Sequence, residues 1–197
     1  MSSEVTICNL ALGRLGDRAT VSSINPAEGS AQAQHCAMFY PLARNSTLQD
    51  HDWSFARTRA LLAELLVDPP ETWQFGYELP ADCVQTRGLL MPGQTDDDGT
   101  NDFLVEGTAL YTDIETATLR YTRLITDPNR FSPLFIDALA WRLASYLAGP
   151  VLKGETGQKA ATSCYNAYTQ LIDRAKTLDA NQGRQTFDPP TAWINAR

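Results

Sequence analysis

The sequence predicts a mainly α, α+β protein: a helical bundle with a small antiparallel β-sheet insertion and an extended C-terminal tail. Three observations lead to this fold class. Apolar residues at helical spacing dominate both ends of the 197-residue chain, whereas alternating β-forming residues fill its middle,. The final segment has two adjacent prolines, and its apolar residues follow neither helical nor strand periodicity,. We therefore divide the chain into four parts, at residues 1–67, 68–127, 128–178 and 179–197.

Residues 1–67 are predicted to form the N-terminal part of the bundle. A first helix places Val5, Cys8, Leu12 and Leu15 on one face before Gly16 ends it,. A second helix, capped by Ser30, continues to about residue 50. The run "SFARTRALLAELLV" predicts a third helix, because its apolar residues are dense and "DPPE" follows as a stop,.

Residues 68–127 change to strand-like alternation and are predicted to form the β-rich insertion. The stretches "WQFGYELP", "DFLVEGTALYTD" and "ATLRYTRLI" each favour a strand,. Between the first two lies "PGQTDDDGTND", which contains Asp96, Asp97 and Asp98 and is too polar to pack,. We expect an acidic loop there.

Residues 128–178 return to helical spacing and complete the predicted bundle. Ser132 and Pro133 start one helix, and Gly149-Pro150 is expected to stop it,. The last helix has a heptad stripe, which we interpret as core rather than as a seam with another protein. The stripe consists of Ala161, Cys164, Tyr168, Leu171, Ala175 and Leu178.

The tail, residues 179–197, carries large apolar side chains without the length to build a core around them. Such residues in an extended terminus predict docking, either on a partner or back on the same chain. The residues that we assign to docking are Phe187, Pro189, Pro190, Trp193, Ile194 and Arg197.

Composition limits the classes of partner. The formal net charge of −7 argues against tight sequence-independent DNA binding, which requires Lys and Arg to neutralise phosphates,. No stretch approaches the roughly 18 apolar residues of a membrane helix, so we expect no membrane contact. The four cysteines are far apart in the sequence and predict reduced core thiols rather than a zinc or redox site,.

The stretch "QDHDWSFARTR" raises the possibility of a metal or acid/base site, because Asp50, His51 and Asp52 are adjacent. Adjacent residues at a helix end point in different directions, and no third ligand has suitable spacing. We therefore interpret the stretch as a capped helical corner around Trp53. No nucleotide-binding loop, nucleophile elbow or zinc-protease motif occurs, so no catalytic residue, cofactor or metal is assigned.

Several segments together resemble the tail tubular protein A, or head-to-tail adaptor, family of tailed bacteriophages. They include "TICNLALGRLGD", "WQFGYELPADCVQTRGL" and the stretch ending "LRYTRLITDPNRFSPLFIDALAWRLASYLA". The most specific part combines a tyrosine-proline, an arginine, "H-x-W-x-F-A" and "R-x-x-L-A". Its motif residues are Tyr40, Arg44, His51, Trp53, Phe55 and Arg59.

The resemblance implies a structural virion protein rather than an enzyme. Such proteins, made in the host cytoplasm, form a ring of about twelve copies between the portal and the tail nozzle, or tubular protein B. Double-stranded DNA passes through the ring without specific binding. By this resemblance the C-terminal segment reaches toward the portal, so we expect the tail residues to dock there. For the nozzle contact we expect the β-rich insertion and its acidic loop at 96–98.

Two alternatives from other classes stay open at this point. A small cytosolic interaction or regulatory protein would use the heptad helix for partner pairing, through Tyr168 and Leu171. A hydrolase would use His51 and its neighbouring acids.

Overall fold

The computed structural model describes residues 2–18, 20–66, 69–94 and 100–180. Two helices, α1 and α2, come first; seven strands follow, and two longer helices, α3 and α4, end the described chain. The helices are α1 (Glu4–Arg14), α2 (Ala31–Gln49), α3 (Pro133–Leu152) and α4 (Gly154–Ala180). The strands are β1 (Arg57–Leu61), β2 (Ala63–Glu64), β3 (Phe75–Glu78), β4 (Cys83–Leu90), β5 (Leu104–Glu106), β6 (Ala109–Thr112) and β7 (Thr118–Arg123).

Serine residues cap the first three helices. The hydroxyls of Ser3, Ser30 and Ser132 each accept a hydrogen bond from a backbone N–H three residues later, at 3.1 to 3.2 Å. Each cap satisfies an N–H that the first turn of a helix leaves without a partner. The predicted caps at Ser30 and Ser132 are confirmed.

The strands form two antiparallel sheets. The first sheet has the order β1-β7-β4, and the second has the order β2-β3-β6-β5. The chain crosses from one sheet to the other between Leu61 and Ala63, with only Leu62 between them. Because the two strands that meet there are edge strands, this crossing lies at the margin of both sheets.

Two hydrophobic cores hold the molecule together. In the larger core, α3 packs against α1, α2 and α4 and buries side chains such as Phe135, Leu139 and Leu143. The smaller core joins the two sheets. It combines Leu89, Leu119 and Tyr121 of the first sheet with Tyr77 and Leu110 of the second.

The predicted fold class is wrong in its balance: the chain is α+β with sheets of three and four strands, not a mainly helical bundle. The error begins in the run predicted as a third helix. There the structure has a turn, then β1 and β2, and Thr58 and Ala60 of β1 are half-buried while Arg57 and Arg59 are exposed. This period-two pattern is hidden by the dense apolar residues that follow it.

One strand had no counterpart among the predicted elements. β4, Cys83–Leu90, pairs with β7 over most of its length. Its register shifts twice, between Cys83 and Gln85 and between Thr86 and Gly88. These irregularities break the strict alternation by which strands are recognised.

The last two helices form an antiparallel-type hairpin with a very short connection. α3 continues past the expected stop at Gly149-Pro150 as far as Leu152, and Lys153 and Gly154 then turn the chain with positive φ angles of 55° each. Gly157 of α4 lies very close to α3. A Cβ added at this position would be only 2.9 Å from the carbonyl oxygen of Ala148. Close approach at this point therefore requires glycine.

Candidate functional site

The corner where α2 leads into β1, residues 47–59, contains Asp50, His51 and Asp52, the adjacent residues that raised the possibility of a metal or acid/base site. Its backbone is held by Arg87 of β4, whose Nη2 donates to the carbonyl oxygens of His51 at 2.7 Å and Gln49 at 2.8 Å. A longer contact of 3.4 Å reaches the carbonyl of Leu48. The last carbonyls of a helix have no partner within the helix and form the negative end of its dipole. Arg87 thus serves as the C-terminal cap of α2.

Arg87 also joins this corner to the first sheet. Its Nε donates to the hydroxyl of Thr122 on β7 at 2.8 Å. Burial lowers the pKa of Arg87, and the positive charges of Arg120 and Arg57 act in the same direction, while Asp52 opposes them. The guanidinium stays charged under ordinary conditions because an arginine pKa starts so high. One side chain therefore connects the helical part and the sheet part.

The two carboxylates of the corner turn to opposite sides. Asp50 accepts hydrogen bonds from Arg142 Nη1 of α3 at 2.6 Å and from the Tyr168 hydroxyl of α4. Asp52 faces the first sheet, where its Oδ2 lies 3.1 Å from Arg57 Nε and 4.0 Å from Arg120 Nε. Each carboxylate is thus engaged by cations of a different element, and the two do not converge on a common point.

Asp50, Arg142 and Tyr168 form a compact polar group within the helical part. The guanidinium carbon of Arg142 lies 4.9 Å from the centre of the Tyr168 ring, and Nη1 also contacts the tyrosine oxygen at 2.8 Å. Arg142 Nε reaches the hydroxyl of Tyr146 at 3.2 Å. Burial, followed by the hydrogen bond to Asp50, raises the pKa of Tyr168. The group links α2, α3 and α4.

Trp53 is the packing centre of the corner. It is 1% exposed, and its Nε1 donates to the carbonyl of Thr47 at 2.9 Å. The ring of His51 meets it edge-on at 5.1 Å, and the ring of Phe135 does the same from α3 at 5.1 Å. Phe55 extends the group toward Phe135, also at 5.1 Å. His51 is therefore part of an aromatic cluster.

The structure divides the remaining motif residues between the two parts of the molecule. Tyr40 and Arg44 lie on α2 and are almost fully buried, with the guanidinium carbon of Arg44 5.9 Å from the Tyr40 ring centre. Arg59 lies on β1, directly opposite Arg120 of β7. The motif thus runs from the helical core, through the corner, onto the sheet, and its residues do not surround one shared cavity.

Sequence reasoning missed the cations that organise the corner. Arg87, Arg142 and Arg120 lie at sequence positions far from Asp50 and Asp52, so no local spacing indicates the pairing. Arg142 lies within the helix predicted to begin at Ser132 and Pro133, but that helix does not indicate its partners.

Two further groups of predicted site residues lie outside the described residues. These are the acidic loop residues Asp96, Asp97 and Asp98, and the tail residues Phe187, Pro189, Pro190, Trp193, Ile194 and Arg197. Within the described ranges, no group of three or more His, Cys, Asp or Glu residues is arranged to hold a metal ion. In the same ranges, no helix combines the length and apolar character needed to cross a bilayer.

No family model matches the chain, and no curated protein matches its sequence. The fold and the corner define an α+β protein in which a helical part and a pair of sheets meet at a junction held by arginine.

Proposed function

We propose that this chain is a structural virion protein, the head-to-tail adaptor of a tailed bacteriophage. About twelve copies form a ring at the portal vertex, between portal and tail nozzle, and line the channel through which DNA leaves. The observation that carries the proposal is the sequence resemblance centred on Tyr40, Trp53, Phe55 and Arg59. The supporting feature of the corner is that its carboxylates and aromatic rings are used for packing and ion pairs rather than for an open reaction centre.

The charge of the chain suits this role. Twelve copies of a subunit with net charge −7 give a strongly negative ring, which disfavours binding to DNA phosphates and lets the genome slide,. The portal contact is proposed for the tail, with Phe187, Trp193, Ile194 and Arg197 as anchors. The nozzle contact is proposed for the acidic loop at residues 96–98.

The test is mass photometry of the purified protein mixed with the portal ring of the same phage. Full-length chain and a version ending at Asp179 are compared, each also alone. We expect the portal ring to gain about a dozen copies of full-length chain and none of the shortened chain. If neither version adds to the portal, the adaptor proposal is wrong. If both add equally, the adaptor role stands but the docking role of the tail is wrong.

The two alternatives make different demands on the described residues. A hydrolase built on His51 requires that His51→Ala abolish an activity while assembly stays intact. A regulator that pairs through the heptad helix requires Tyr168 and Leu171 to be available to a partner. Tyr168 is 2% exposed and bonded to Asp50, so most of its surface is already used within the chain.

A further inference from the structure

The outward face of α2 lacks charge. Arg44 is the one charged residue of this helix, and it is 8% exposed, so it does not contribute to that face. Met38 is 67% exposed and Leu42 is 54% exposed, and residues four apart lie on the same side of a helix,. Pro41 is exposed between them. The exposed residues of α2 are Ala31, Gln34, Met38, Pro41, Leu42 and Gln49, and we call this set the α2 face.

The exposed side of α4 shows what an ordinary solvated helix looks like in the same molecule. It carries Glu155, Lys159, Asp173 and Arg174, and the first two form an ion pair at 2.8 Å. Charged residues make up 20% of the chain, so the absence of exposed charge along α2 is a local property. Contact surfaces between proteins are depleted of charge at their centres and enriched in methionine.

A second surface, with one charged residue, lies where the chain crosses between the two sheets. A groove of about 370 Å³ opens there, and Leu61, one of its lining residues, is 68% exposed. Glu78 is the single charged residue among those that line it. The lining residues are Ala60, Leu61, Leu62, Ala63, Glu78, Leu79, Pro80 and Ala81, and we call this the sheet groove.

These two surfaces are on different elements and differ in shape, which is what a ring of identical subunits requires. A head-to-tail contact joins one patch of a subunit to a different patch of the next. Copies that each carry a net charge of −7 repel, so they meet at lowest cost where acidic side chains are absent or few,. The convex α2 face and the apolar sheet groove satisfy both conditions.

We propose that the α2 face of one copy packs into the sheet groove of the next copy, with Met38 and Leu42 as the inserted side chains. The inference rests on the proposed function, because it takes the neighbour to be another subunit of the same ring. It assigns the lateral contact to residues of both the helical part and the sheet part of the molecule.

A photo-crosslinking experiment tests the contact without the portal. p-Benzoylphenylalanine replaces Met38, and concentrated full-length protein, an equal mixture of ¹⁴N and ¹⁵N chains, is irradiated. We expect crosslinked dimers of mixed isotope content in which position 38 is joined to a peptide from residues 57–81. The same probe at Thr162, which is exposed on α4, is the control and is expected to give no such product.

Other crosslinking outcomes contradict the proposal. A product within one chain, including one to residues 181–197, shows that the chain covers its own α2 face. A dimer mapped to a different region, or no dimer, shows that the two surfaces do not meet.

Loading of a charge variant of this chain onto the portal ring separates this inference from the proposed function. Leu42→Glu buries a carboxylate in the contact, which is costly, and should weaken loading onto the portal ring by at least about tenfold. Thr162→Glu is the matched control and should load like the unmodified chain. If the unmodified chain and Leu42→Glu load equally, the inference is wrong and the adaptor role stands. If the unmodified chain does not load, the adaptor role is wrong, and the crosslinking result decides the contact by itself.

Discussion

Arg87 of β4 donates a hydrogen bond of 2.7 Å to the carbonyl oxygen of His51, so a strand residue closes the C-terminal end of a helix. The same guanidinium reaches Thr122 of β7. Helix α2 and the first sheet therefore share one half-buried cation, and its loss affects both.

Replacing Arg87 by Ala should lower the free energy of unfolding by about 3 kcal/mol, because several carbonyls lose a charged donor. Arg87→Lys should recover only part of this, since one ammonium cannot reproduce the fork of a guanidinium. Urea unfolding followed by circular dichroism measures both. Arg123→Ala is the control: its pair with Asp82 is exposed and should cost less than about 1 kcal/mol,. Equal losses for the two arginines would contradict the capping role.

Trp53→Ala should be among the most destabilising changes in the corner, at about 4 kcal/mol, because it empties the site between His51 and Phe135,. Trp53→Phe keeps most of the packing but loses the donor to Thr47, so we expect a smaller loss of about 1–3 kcal/mol,. Calorimetry measures which of the two variants loses more stability. Tyr165→Ala on the exposed side of α4 is the comparison and should change stability little,.

The Asp50 and Tyr168 pair offers a test of whether this acid is structural. Tyr168→Phe removes one donor from Asp50 and should cost about 1–2 kcal/mol,. Combined with Asp50→Asn in a double-mutant cycle, it should give a coupling energy of about 1 kcal/mol. Additive losses would show that the two side chains do not support each other in solution.

The stability of the protein should fall in alkaline solution, partly through Tyr121. Burial and a hydrogen bond to Asp82 raise the pKa of Tyr121 to about 12, against about 10 in the unfolded chain,. Between these values the unfolded chain has lost the proton and the folded chain has kept it, so stability falls as pH rises. This contribution is complete below about pH 10 and disappears as the pH approaches about 12.

Unfolding of Tyr121→Phe as a function of pH isolates the effect. The variant should be less stable than the unmodified protein at neutral pH, because it loses the bond to Asp82, and should lose stability less steeply above about pH 10,. Parallel curves for the two proteins would assign the alkaline loss to other groups.

Two glycines should respond to alanine in opposite ways. At Gly13 in α1 an added Cβ meets nothing within 4 Å, so Gly13→Ala should stabilise the protein by about 0.5–1 kcal/mol,. At Gly157 the Cβ would lie 2.9 Å from the carbonyl of Ala148, so Gly157→Ala should destabilise by about 1–3 kcal/mol despite its better helix propensity,. Thermal unfolding of the two variants side by side tests the packing of α3 on α4.

Local signals predicted the parts of the fold that depend on neighbouring residues. The helix starts at Ser30 and Ser132 follow from capping chemistry within three residues. Alternation predicts a strand in "DFLVEGTALYTD", which the structure divides into the β5–β6 hairpin at Gly107. Each needed only a short window of sequence.

The features that could not be predicted depend on pairing between residues that are distant in the sequence. β1 reads as helix because its strand partner, β7, comes much later in the chain and supplies the hydrogen bonds that fix it. The corner was interpreted as a capped turn into another helix, but the structure has β1 after it. Arg87 could not be assigned to the corner, since nothing near residue 87 indicates that its partners are the carbonyls of α2. Tertiary contacts override local propensity at both places.

The packing of α1 chiefly against α3 places a condition on synthesis. The ribosome completes α1 on the order of ten seconds before it completes α3, and in that interval Ile7 and Leu12 lack their final neighbours,. In the same way, β1 cannot form its hydrogen bonds with β7 until β7 has been synthesised. The larger core therefore cannot close until α3 emerges, and a nascent fragment that ends before Pro133 leaves the side of α1 that faces α3 uncovered.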